Sequence, residues 1–168
     1  MIQKILRLFA NNNLLMAPRR EMAKHLARNF IYERGNIDAL YKDFATKLVR
    51  LIEVMEKKGK PVYMFSGFRS WKEQNELYAK GRTEAGNIVT NAGGGQSYHN
   101  YGLAADLIFK QYNWSPPPGW WNEFGIEAKK LGLEWGGDWE DLRDYPHVQL
   151  RPMNVKWSDL IDYFQLST

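Results

Sequence analysis

Apolar residues recur at three- and four-residue steps over residues 38–58, at Leu40, Phe44, Leu48, Leu51, Ile52 and Met55. That spacing puts them on one stripe of an α-helix and predicts a helix buried along that face. Gly59 and then Pro61 follow, the residues expected just past a helix end. Residues 61–66, Pro-Val-Tyr-Met-Phe-Ser, read as a strand that Gly67-Phe68-Arg69 ends. Ser70 and Glu73 have the spacing of a capping box, so a second helix is expected from there to Lys80, burying Trp71, Leu77 and Tyr78.

Gly81 stops that helix. Residues 81–96 are polar and glycine-rich, and a loop of this length inside a domain tends to carry function. Gly93-Gly94-Gly95 lacks a following Gly-Lys-Ser/Thr, which excludes a P-loop. Leu107-Ile108-Phe109, directly behind Asp106, reads as the start of a buried strand. A rigid Ser-Pro-Pro-Pro-Gly turn at 115–119 leads into a helix over 120–131 with Trp121, Phe124, Ala128 and Leu131 on its apolar side. Residues 133–139 read as a strand and tight turn, 147–150 as a strand, and 157–164 as a closing helix with Ser158 as its cap. Residues 1–35 read as one or two short helices around the Asn11-Asn12-Asn13 break, which predicts a helical N-terminal extension ahead of a domain over 36–168. This order predicts an α+β fold, a small mixed or antiparallel sheet flanked by helices.

Composition narrows the chemistry. A chain of 168 residues, 44% hydrophobic and 25% charged, is long enough to bury a core. Seven Trp point to an aromatic-lined core or groove. The absence of cysteine excludes disulfides and thiolate metal sites, so zinc would need His, Asp or Glu. The net charge of +4 favours anionic polymers without choosing among nucleic acid, membrane surface and cell wall. No run of about 18 apolar residues occurs, so no membrane span is expected. Arg7 and the Asn11–Asn13 run interrupt the basic, apolar start, so no cleavable signal peptide is expected either. His25 lies in a basic stretch and reads as a surface histidine.

The remaining histidines carry the candidate site. His99 and Asp106 stand seven residues apart around the turn Asn100-Tyr101-Gly102. An imidazole and a carboxylate at the mouth of a strand suit zinc. His147 is the best third ligand, and Asp138, Glu140 and Asp141 are rival carboxylates. Two imidazoles and one carboxylate leave a metal about one unit of positive charge and an open position. Asp144, three residues before His147 and stiffened by Pro146, is placed to act as general base. Arg69, at a strand-to-helix junction, is placed to stabilise an oxyanion.

Ser97, His99, Gly102, Ala104 and Asp106 fill the pattern Ser-x-His-x-x-Gly-x-Ala-x-Asp, and Asp144 and His147 fill Asp/Glu-x-x-His. With these motifs the sequence resembles the zinc peptidases of bacterial cell-wall peptides. These comprise the L-alanyl-D-glutamate endopeptidases of phage endolysins and sporulating bacteria, and the related D-alanyl-D-alanine carboxypeptidases and dipeptidases. Ser66-Gly67-Phe68-Arg69-Ser70 is similar to that family's arginine segment. Glu134-Trp135-Gly136-Gly137-Asp138-Trp139 is similar to a stretch of its L-alanyl-D-glutamate branch. The resemblance covers roughly residues 38–150. It implies a D-Ala-D-Ala metallopeptidase-like fold with Zn2+ held by His99, Asp106 and His147. It also implies Asp144 as catalytic base and a transition-state role for Arg69. The implied function is peptidoglycan stem-peptide hydrolysis, foremost at L-alanyl–D-glutamate. A D-alanyl-D-alanine carboxypeptidase and a non-catalytic zinc-containing binding module are the alternatives, and the presence of Asp144 argues against the second. The expected partner is the stem peptide, with no nucleic acid. The protein is expected to be a monomer, cytoplasmic until phage or host lysis releases it to the wall.

Overall fold

The computed structural model describes residues 37–151 and Leu160. The expected extension 1–35 lies outside the described residues, as does the closing helix 157–164 apart from Leu160, which is helical. The described chain contains helices α1 (Lys42–Lys57), α2 (Trp71–Ala79) and α3 (Trp120–Lys130). Its strands are β1 (Val62–Ser66), β2 (Ala104–Phe109), β3 (Glu134–Trp135) and β4 (His147–Gln149). It divides into two compact units, one of residues 37–69 and 98–151 and one holding residues 70–97. None of its helices is long and apolar enough to cross a membrane.

The first unit contains all four strands, in the order β1-β2-β4-β3 with every pair antiparallel. The expected stripe forms: Phe44, Leu48, Leu51 and Met55 of α1 are fully buried. They pack with Phe124 and Ala128 of α3 against Val62, Ala105, Leu107, Phe109 and Val148 of the sheet. Burying side chains of this size stabilises by about 1.5–3 kcal/mol each.

Strand alternation decides what faces away from that core. With Ala105, Leu107 and Phe109 turned to the helices, Ala104, Asp106 and Ile108 lie on the opposite face of β2. On β4, Val148 is in the core, so His147 and Gln149 share the face of Asp106. The register sets Asp106 directly across from His147. On the other side, β1 carries one extra residue between Met64, opposite Leu107, and Ser66, opposite Asp106. This bulge turns Ser66 to the Asp106 face, a common use of bulges beside functional sites.

One boundary differs from the sequence reading. The strand holding Asp106 begins at Ala104, so Asp106 is its third residue rather than its mouth. Ala104 and Ala105 are small enough to be wholly buried, and they continue the ladder opposite Gln149 and Val148.

The second unit contains α2 and the loop after it. The capping box forms: Ser70 Oγ accepts from the Glu73 N–H at 3.2 Å, while the Glu73 carboxylate accepts from the Ser70 N–H at 2.8 Å. The expected buried face is incorrect. Trp71 and Tyr78 are 40% and 38% exposed, and Gln74 is the buried residue. The loop supplies the reason, because Gln74 Nε2 donates to Ala92 O at 2.7 Å and binds the helix to residues 90–92. Tyr78 instead supports the Arg82 guanidinium, 4.0 Å from its ring centre, while Arg82 donates to Tyr78 O and Thr90 O.

Candidate metal centre

His99 lies in a 3-10 turn, Tyr98–Tyr101, that three bonds tie to the segment after β1. Arg69 N–H donates to His99 O at 3.1 Å, Asn100 Nδ2 donates to Arg69 O at 2.7 Å, and His99 Nδ1 meets Gly67 O at 2.6 Å. Gly102 ends the turn with φ +67°, and a Cβ there would stand 2.9 Å from Ala39 O, so no other residue fits. The glycine of the His-x-x-Gly spacing therefore lets the histidine turn pack closely against the start of α1.

His147 reaches the same point from β4. Its loop rests on the Trp-Gly-Gly segment. The Trp135 indole N–H donates to Tyr145 O at 2.8 Å, and Asp144 N–H donates to Gly136 O at 3.0 Å. A Cβ at Gly136 would lie 2.5 Å from Asp144 O and 3.0 Å from the His147 Cβ. Gly136→Ala is expected to cost about 1–3 kcal/mol of stability by overpacking. It would also weaken metal binding, because the displaced segment holds a donor. Thermal unfolding and zinc titration of the variant check both, and an unchanged zinc affinity would dissociate this loop from the site.

Three donors converge. His99 Nε2 is 3.3 Å from His147 Nδ1 and 3.3 Å from Asp106 Oδ1, and His147 Nδ1 is 3.1 Å from Asp106 Oδ1. Zinc bonds of ~2.0–2.1 Å in a tetrahedron set donors about 3.3–3.4 Å apart, which matches these separations. Proton bookkeeping agrees. Gly67 O can only accept, so Nδ1 of neutral His99 carries the proton and Nε2 offers a lone pair. His147 Nε2 faces Gln149 Oε1 at 3.0 Å, and Gln149 Nε2 faces the acceptor-only carboxylate of Glu134 at 2.7 Å. Gln149 Oε1 thus offers the His147 proton a place on Nε2, and with the proton there the lone pair lies on Nδ1. Two imidazole lone pairs and a carboxylate oxygen pointing at one another suit a cation among them. Among the described residues, His99, Asp106 and His147 form the group able to hold a metal ion.

The electrostatics follow. Burial alone would push Asp106 up, but the charges and hydrogen bonds of His99 and His147 hold it well below the usual carboxylate range. Burial lowers His99. It also pulls on His147, but the hydrogen bond and charge of Asp106 outweigh it and raise His147 above the ordinary 6.5. Without metal, a second proton on His147 goes to the nitrogen that would bind zinc, and it is held more tightly than on an ordinary imidazole. Zinc affinity is expected to weaken as pH falls, starting above 6.5, because the proton and the ion compete for Nδ1. Chelator competition from about pH 8 to about pH 6 measures this, and a flat profile would contradict it.

Asp144 is partly buried, and that burial together with the Asp106 charge raises its carboxyl above the ordinary aspartate value. Arg69 donates from one terminal nitrogen to Asp106 Oδ2 at 3.3 Å and to Ser66 Oγ at 3.2 Å. All five residues singled out in the sequence thus lie in the first unit. His99, Asp106 and His147 form one donor cluster, Arg69 bonds its carboxylate, and Asp144 senses its charge. The rival carboxylates are exposed, and Asp138 is paired with Lys129 at 2.7 Å. Residue-type reasoning missed Gln149, Ser66 and the partner role of Glu134. The spacing His147-x-Gln149 on a strand was a usable signal, since alternate residues share a face.

Two family models, each described as D-alanyl-D-alanine carboxypeptidase, match residues 38–116 and 90–150. The chain is 48% identical over 108 residues to the peptidoglycan L-alanyl-D-glutamate endopeptidase CwlK of Bacillus subtilis, covering 56% of this chain and 64% of that protein. It is 31% identical over 132 residues to the L-alanyl-D-glutamate peptidase of Listeria phage A118, covering 72% of this chain and 42% of that one. The chain therefore spans less than two thirds of the length of either relative. Among solved structures it is similar in fold to a variant of the vancomycin-resistance D,D-pentapeptidase VanY from a VanB-type cassette, in complex with Zn(II). The TM-score is 0.52 at 16% identity, covering 66% of this chain and 72% of that one.

Proposed function

Because this chain belongs, through residues 38–150, to the D-alanyl-D-alanine carboxypeptidase-like family that includes L-alanyl-D-glutamate peptidases, we propose that it is a zinc-dependent peptidase of peptidoglycan stem peptides, cutting the L-alanyl–D-glutamate bond. The observation that carries the reading is the convergence of His99 Nε2, Asp106 Oδ1 and His147 Nδ1 within 3.1–3.3 Å. Those three would hold Zn2+, which supplies Lewis-acid polarisation of the scissile carbonyl and makes water easier to deprotonate. Asp144 takes the proton of the attacking water and returns it to the leaving amine nitrogen. Burial makes it a stronger base than a solvated aspartate. Arg69 holds the far oxygen of Asp106 and contributes positive charge where the tetrahedral oxyanion develops. The net charge of +4 suits an anionic wall polymer.

The assigned residues come from one unit of one chain, which supports a monomer as the working form. The phage relative supports an endolysin setting, in which the enzyme lyses bacteria once the membrane is breached. The descriptions of both family models favour a second reading, a D-alanyl-D-alanine carboxypeptidase. Digestion of purified sacculi with mass analysis separates the two. Peptides beginning at D-glutamate are expected, and they disappear with a chelator. Free D-alanine as the sole product would establish the second reading. No product from zinc-loaded protein would sink both and leave a binding module.

A further inference from the structure

Gln149 and Glu134 lie behind His147, and neither offers a donor atom to the cluster. Their contacts form a directed chain. His147 Nε2–H donates to Gln149 Oε1 at 3.0 Å, Gln149 Nε2 donates to Glu134 Oε2 at 2.7 Å, and Glu134 Oε1 accepts from Arg151 at 3.3 Å. Gln149 is 7% exposed, and an amide that deeply placed can be oriented only by its neighbours. A carboxylate accepts and never donates, so Glu134 admits one orientation of the Gln149 amide. That orientation turns the amide oxygen, not the NH2, towards His147.

The consequence lies on the other side of the ring. Neutral His147 has one proton and two claimants. Asp106 Oδ1, 3.1 Å from Nδ1, draws the proton to the nitrogen that would bind the ion. Gln149 Oε1 draws it to Nε2. We propose that Glu134 and Gln149 are positioning residues that hold the His147 proton on Nε2 and so keep Nδ1 open for the metal. This deepens the proposed function, resting on His147 as a ligand but not on which peptide bond is cut. Hydrogen bonds that orient a ligand in this way typically change metal affinity 10- to 100-fold.

The test reads zinc affinity directly, by competition with a chromophoric chelator at constant pH, in the full chain. Gln149→Leu preserves bulk but removes the acceptor, and its zinc Kd should rise about 10- to 100-fold. The exchange variant, Glu134→Gln with Gln149→Glu, keeps the net charge and an acceptor facing His147 Nε2–H, while the bond between positions 134 and 149 reverses so that position 134 donates. Its Kd should return to within about threefold of the wild type or fall below it. A purely structural role for Gln149 would not be rescued by an exchange of charge and amide. If Gln149→Leu does not fold, Glu134→Gln alone carries the test, since it frees the amide to rotate at a partly exposed position. Its Kd should rise roughly fivefold. An unchanged Kd in the folded single variant, or an exchange variant as weak as Gln149→Leu, overturns the proposal. Sacculus digestion by the wild type reports separately on the proposed function, so the two failures are distinguishable.

Discussion

Asp144→Asn is expected to keep zinc and lose hydrolysis, with turnover of peptidoglycan peptides falling by about 10²–10⁴-fold. Asparagine has the shape of aspartate but cannot accept a proton from water at neutral pH. The main-chain bonds that place this residue remain: its N–H donates to Gly136 O at 3.0 Å, and its carbonyl accepts from the His147 N–H at 3.1 Å. Its carboxylate is not among the clustered donors, so bound zinc should stay at one per chain. The loss should fall on kcat, with KM close to the wild-type value, because the proton is transferred in the transition state. Fragment release and metal content, measured on the same preparation, are the two readouts. Undiminished turnover would remove Asp144 as the base. Loss of zinc alongside turnover would instead assign it to holding the loop of His147.

His99→Ala should lose both properties. It takes away one of three donors, and one ligand's share of a zinc site's binding free energy is roughly 3–4 kcal/mol, or about 10²–10³-fold in affinity. It also strips Gly67 O, a buried carbonyl, of the imidazole that meets it at 2.6 Å. An unpaired buried acceptor costs a further ~1–3 kcal/mol of stability. Chelated wild-type protein should regain sacculus digestion when zinc is added back, while His99→Ala should stay inactive at the same zinc concentration. Full activity in the variant would exclude this imidazole as a ligand. The two variants together dissociate holding the ion from moving the proton.

Much of the architecture was legible because local patterns and tertiary partners agreed. The stripe Phe44, Leu48, Leu51 and Met55 meets the sheet as its period requires, and the Ser70–Glu73 capping box forms where its spacing placed it. The reading failed at α2, where Trp71 and Tyr78 are exposed and Gln74 is buried. Hydrophobicity ranks side chains by transfer from water, and it has no term for a glutamine whose amide finds a carbonyl eighteen residues away. The β1 bulge was equally hidden, because an extra strand residue costs nothing in composition and is defined only against its partner.

By itself the sequence determined which atoms were available. With no cysteine, a borderline divalent ion such as zinc had to rely on histidine and carboxylate, and the spacing of His99, Asp106 and His147 nominated them, with Asp144 as base. Only the tertiary structure decided which nitrogen of each ring faces inward. For His99 the acceptor is Gly67 O on the segment after β1, and for His147 it is Gln149 Oε1 on its own strand, with the amide held by Glu134 of β3. Gly67 O can only accept, and Glu134 turns the Gln149 amide only once β3 and β4 lie side by side.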